Sequence, residues 1–101
     1  MLGFIKKLFG PGVDLSEKMS DGAIILDVRS PGEYASGHVK GSKNIPLDKI
    51  SGKIEAIKKW NKPVITCCAS GMRSGSAASI LKQNGVEAYN GGSWQKTGKL
   101  A

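Results

Sequence analysis

Residues 64–74 read VITCCASGMRS. An apolar, β-branched run follows Pro63, a turn of small residues comes next, and helical spacing resumes beyond Arg73. Residues 63–67 have the length and composition of a strand buried on both faces. Ala77, Ile80 and Leu81 then predict a helix, which Asn84 and Gly85 stop. Strand, tight turn and helix in succession form the unit from which parallel sheets are built.

The flanking sequence repeats that alternation. AIILDV (23–28), after the turn signal of Asp21 and Gly22, predicts a buried strand. RSPGEYASGH (29–38) is turn chemistry with a helical turn near Pro31–Ala35. KNIPL (43–47) predicts a brief extended piece, since Ile45 precedes a proline. Leu47, Ile50, Ile54, Ile57 and Trp60 share one helical stripe, which predicts a helix over 47–60 ended by Asn61 and Pro63. VEAY (86–89) predicts the next strand, and NGGSW (90–94) a glycine turn. The expected fold is α/β, a central parallel sheet flanked by helices on both faces. The site in such folds lies outside the carboxyl ends of the strands, where the loop after Cys68 falls.

With 101 residues the chain is read as an extension, 1–12, and one domain, 13–101. In the extension, Leu2, Ile5 and Phe9 share a face, but Lys6 and Lys7 interrupt the apolar run. A signal peptide needs a continuous apolar segment of about 7–15 residues, so a short docking helix is the reading preferred. No run approaches the ~20 apolar residues of a membrane span. The expected location is therefore cytoplasmic, with no stable membrane insertion. The net charge of +7 comes largely from thirteen scattered lysines. Without a dense basic run or interleaved aromatics it excludes a nucleic-acid surface, yet it would attract small anions.

Both cysteines, Cys67 and Cys68, are adjacent. Neighbouring cysteines bridge poorly, and their spacing to the single histidine, His38, matches no common zinc site, so neither disulfide nor metal is expected. Cys67 belongs to the strand and packs; Cys68 stands where the loop turns away. A helix amino terminus and a curled run of N–H groups stabilise anions. Ala69, Ser70 and Gly71 are small enough to let the backbone curl there, and Gly71 tolerates positive φ. Cys68 is thus expected to carry a lowered pKa and to be accessible as a thiolate. Arg73 supplies a fixed charge. It and Arg29 are the only arginines, and each follows a predicted buried strand.

Three segments together resemble a single-domain rhodanese, a sulfurtransferase. DVRSPGEYASGHVKGSKNIP (27–46) is similar to the family's amino-terminal signature, VITCCASGMRS (64–74) to its active-site strand and loop, and VEAYNGGSWQ (86–95) to its last strand and closing turn. The resemblance implies that Cys68 takes a sulfane sulfur from a small anionic donor such as thiosulfate. The resulting persulfide would pass it to cyanide or to a thiol, including a protein thiol, with no cofactor. It implies that the N–H groups of Ala69, Ser70, Gly71, Met72 and Arg73 stabilise the persulfide, and that Arg73 holds the donor or orients the loop. Asp27, Arg29, Glu33 and His38 match signature positions; a structural role is preferred for each, with Glu33 paired to Arg29 or His38. Trp94 either lines the pocket mouth or fills a core gap. Counting from Cys67 to Arg73 instead gives the longer loop of a cysteine-dependent phosphatase or oxyanion reductase. A non-catalytic binding module is the third reading, and the intact Cys68 and Arg73 argue against it.

Overall fold

The computed structural model describes residues 13–101. Expectations for residues 1–12 lie outside the described residues. The elements in order are α1 (Leu15–Ser20), β1 (Ile24–Asp27), α2 (Pro31–Ser36), β2 (Lys43–Asn44), a 3-10 helix (Leu47–Lys53), α3 (Ile54–Trp60), β3 (Val64–Cys68), α4 (Met72–Gln83), β4 (Ala88–Ser93) and α5 (Trp94–Gly98). The strands form one sheet in the order β2-β1-β3-β4, and every pairing is parallel.

Side chains alternate along a strand, so each strand feeds two cores. Leu26, Val28, Val64 and Cys68 point to a larger core built with Ile50, Ile54, Ile57, Ala77, Ala78 and Leu81. Ile25 and Cys67 point the other way, to a smaller core with Val39, against which Met19 and Trp94 pack. Helices therefore cover both faces, as the fold class requires. The two adjacent cysteines lie on opposite faces for the same reason.

Several boundaries differ from the sequence reading. The stripe over 47–60 is two helices, with Lys53 at φ −116°, ψ 8° between them. Gly52 gives the first turns little helical bias, while Ile50, Ile54 and Ile57 remain buried in either geometry. Asn61 ends α3 in the left-handed region, at φ 52°. β3 runs one residue beyond the predicted strand, to Cys68. Helix α1, capped by the Asp14 carboxylate on Ser16 N at 2.9 Å, had no apolar periodicity to announce it.

The largest shift concerns β4, which spans Ala88–Ser93 rather than 86–89. An irregularity between Thr66 and Cys68 lets Ser93 pair with Cys68, so the expected glycine turn continues the strand. Gly91 makes this fit. A Cβ there would lie 2.6 Å from Thr97 Oγ1 and 2.8 Å from Ile65 Cγ2. Gly91→Ala is expected to cost about 1–3 kcal/mol through overpacking, read as a lower denaturant midpoint. An unchanged midpoint would show that Ile65 and Thr97 can retreat.

Candidate active site

The site begins where β3 ends. The chain turns through Ala69, Ser70 and Gly71 into α4. The N-cap of α4 is Gly71, at φ +105°, which has no side chain of its own to offer. A helix amino terminus leaves backbone donors unpaired. Here they turn to a sulfur. Gly71 N donates to Cys68 Sγ at 3.0 Å and Ser74 N at 3.4 Å, while Ser74 Oγ lies 3.4 Å away. Cys68 thus occupies the place of a capping oxygen.

Burial raises the cost of charging this sulfur. The contact with the Ser74 side chain and the hydrogen bonds from Ser74 N and Gly71 N outweigh that cost, and hold Cys68 at about 7 instead of the ordinary 9.0. The bonds within reach of the sulfur come from Gly71 and Ser74, not from the whole run 69–73. The crest of the loop faces outward: Met72 is 81% exposed.

The expected accessibility of Cys68 is not what the structure displays; the residue is 0% exposed. The cause is the same contact that charges it. To bring Gly71 N within 3.0 Å, the loop must close over the sulfur.

Cys67 has opposite surroundings. It is also buried, on the opposite face, and pairs in register with Asp27. Burial, reinforced by the nearby Asp27 charge, pushes its thiol up to about 12. Asp27 is fully buried, and its carboxylate receives Arg29 Nε at 2.9 Å and Arg29 Nη2 at 2.7 Å. It also accepts from Arg29 N at 3.0 Å, the turn-capping role expected. Arg29 further donates to Gly37 O at 2.7 Å and lies over the Trp94 ring at 4.9 Å. Trp94 therefore sits on the smaller core, against the Arg29 ion pair and Gly37.

Glu33 pairs with neither Arg29 nor His38 through its carboxylate. Its oxygens receive Arg73 Nη1 at 2.8 Å and Nη2 at 3.0 Å, a two-pronged contact across 40 residues. That contact, with a hydrogen bond from Ser30 N, lowers the Glu33 carboxyl to about 2. Glu33 and Ser30 also form the capping box of α2. His38 is exposed, stacked on Tyr34 at 3.8 Å, with Nδ1 2.8 Å from Tyr34 O. Its bonding serves the turn after α2 rather than the loop. Among the described residues no cluster of His, Cys, Asp and Glu is placed to hold a metal.

A family model described as a rhodanese-like domain matches residues 13–96. The chain belongs to the rhodanese-like family. This rhodanese-like chain is 42% identical over 69 residues to the uncharacterized protein YqhL of Bacillus subtilis, covering 67% of this chain and 54% of that one. It is 36% identical over 64 residues to the thiosulfate sulfurtransferase GlpE of Pseudoalteromonas translucida, covering 63% of this chain and 60% of that one. A solved structure, rhodanese with anions from E. coli, superposes with a TM-score of 0.66 at 34% identity, over 73% of this chain and 89% of that chain. The chain spans a little over half the length of these two curated relatives.

Two participants in this rhodanese-like loop escaped the sequence reading. Ser74 ends the quoted stretch, and its position three residues after Gly71 puts its N–H and hydroxyl at the open end of α4. Asn90 reads as a turn residue, and nothing local marks its side chain as facing the loop.

Proposed function

We propose that the protein is a sulfurtransferase that carries sulfane sulfur on Cys68. The observation that supports this most is the capping of α4 by a cysteine sulfur, which favours the anion in a buried place. The Cys68 thiolate attacks the outer sulfur of a donor such as thiosulfate. A Cys68 S–S bond forms, the donor's S–S bond breaks, and sulfite leaves with its electron pair. Cyanide or a thiolate then attacks the terminal sulfur, and Cys68 leaves as the thiolate it was. Donors aimed at the sulfur stabilise its charge. Entry to the closed sulfur requires the segment 69–71 to swing aside. No helix among the described residues is long and apolar enough to cross a membrane.

The test is turnover of thiosulfate with cyanide, followed as thiocyanate across pH. Thiolate forms as pH rises, so the rate is expected to climb through about 7, following Cys68. Turnover of an aryl phosphate without sulfur transfer would move the assignment to a phosphatase. Cys67, with its thiol held near 12 on the far face, is poorly suited to lead that register.

Arg73 faces two claims. Its guanidinium fork is occupied by Glu33, so an anionic donor must compete for it. Glu33→Gln keeps an acceptor for Ser30 N and removes the rival charge. KM for thiosulfate is expected to fall by about two- to five-fold, the range of a partly exposed ion pair. An unchanged KM would leave Arg73 the task of orienting the loop.

A further inference from the structure

Asn90 stands on β4, the strand beside the Cys68 loop, and uses both ends of its amide. Nδ2 donates to Gly71 O at 3.0 Å. Oδ1 accepts from Gly92 N at 2.9 Å and from Ser74 Oγ at 2.6 Å. The roles are unambiguous, because a carbonyl only accepts and a backbone N–H only donates. Ser74 has a single hydroxyl hydrogen, and with Oδ1 as partner that hydrogen goes to Asn90.

The two residues held this way are the two whose backbone N–H groups face the sulfur. From below, Thr66 Oγ1 fixes the helix end of the loop by donating to Ser74 O at 2.8 Å. At the crest, Gly71 O also accepts from Gly75 N of α4 at 3.0 Å, and Asn90 adds a tie from outside the helix. Gly71 is a left-handed glycine without a side chain, and a Cβ there would sit 3.3 Å from Gly92 Cα. The loop and the end of β4 touch backbone to backbone at that point, and Asn90 ties them.

We propose that Asn90 is a positioning residue for Cys68, clamping the loop crest to β4 by holding Gly71 with one end of its amide and Ser74 with the other. The clamp keeps Gly71 N at its 3.0 Å contact, the shortest the sulfur makes. Releasing Asn90 frees the Ser74 hydroxyl to turn toward Cys68 across 3.4 Å, a gain that opposes the loss of the clamp. The clamp holds both residues whose N–H groups face the sulfur, so its loss loosens two backbone bonds against one hydroxyl gained. Charged and titratable groups near Cys68 do not disturb this logic. Arg73 on α4 is engaged by Glu33 of α2, and Cys67, Asp27 and Arg29 lie on the other face of the sheet. Asn90 bonds none of them.

The role in turnover rests on the proposed sulfur transfer; the effect on the sulfur itself does not. The experiment measures iodoacetamide alkylation of Cys68 against pH in Cys67→Ser protein, with and without Asn90→Ala, alongside kcat and KM for thiosulfate. The alkylation midpoint is expected to rise by about one pH unit, the effect of one hydrogen bond lost to an anion. The kcat is expected to fall by about three- to ten-fold with KM little changed. A lower melting temperature with the wild-type midpoint and kcat would overturn the proposal, since that is what a merely structural residue does. Should wild-type protein transfer no sulfur, the functional reading fails while the alkylation midpoint still decides the clamp. If Asn90→Ala does not fold, Asn90→Ser removes the donor to Gly71 O without adding charge, and the same shift or its absence decides.

Discussion

Cys68→Ser is expected to lose sulfur transfer entirely, to the limit of the thiocyanate assay, while Cys67→Ser keeps most of the wild-type rate. The two residues are neighbours with opposite surroundings. The sulfur of Cys68 receives two backbone N–H groups and is held at about 7. That of Cys67 lies near Asp27 in the smaller core and is pushed up to about 12. A serine hydroxyl is a far weaker nucleophile than a thiolate and cannot carry sulfane sulfur. It can still accept from Gly71 N, so Cys68→Ser should fold, and the loss can be read as chemistry. Activity surviving in Cys68→Ser and vanishing in Cys67→Ser would reverse the assignment.

Arg29→Met is expected to be the most destabilising single change in the signature segment. Asp27 is 0% exposed, and Arg29 supplies its countercharge through both carboxylate oxygens. Removing one partner of a buried pair leaves an uncompensated charge and costs about 3–5 kcal/mol. In a chain whose whole stability is about 5–10 kcal/mol, that shifts the melting temperature by roughly 15–30 °C. Arg29 also donates to Gly37 O and Glu33 O, so the turn following α2 loosens with it. Arg29→Lys retains the charge without the fork and should recover only part of the loss. The double change Asp27→Asn, Arg29→Met removes the orphan charge and is expected to be more stable than Arg29→Met alone. Thermal unfolding of the three variants decides; Arg29→Met melting with the wild type would show that the pair contributes nothing.

Much of this was readable from residues, and the failures have physical causes. β1 and β3 announce themselves as short apolar runs because both faces of a parallel strand are buried. The placement of Cys68 at a strand end before a helix follows from the same run. β4 was truncated because Asn90, Gly91 and Gly92 carry turn propensity, and only the packing of Ile65 and Thr97 explains why a strand continues through them. The Glu33–Arg73 contact joins residues 40 apart, beyond the reach of any local pattern. The Asn90 clamp is likewise a product of topology, since β4 lies beside β3 only once α4 has crossed over. Burial of Cys68 could not be read from spacing, because the loop's closure depends on a 3.0 Å contact rather than on residue type.

The account stands on a buried sulfur kept anionic by the open end of α4 and able to accept one more sulfur. Intact-mass measurement after incubation with thiosulfate, then after cyanide, tests it most directly. The account requires a gain of one sulfur per chain, localised to Cys68 and removed by cyanide. An unchanged mass, with Cys68 alkylated at neutral pH no faster than an ordinary thiol, would contradict it.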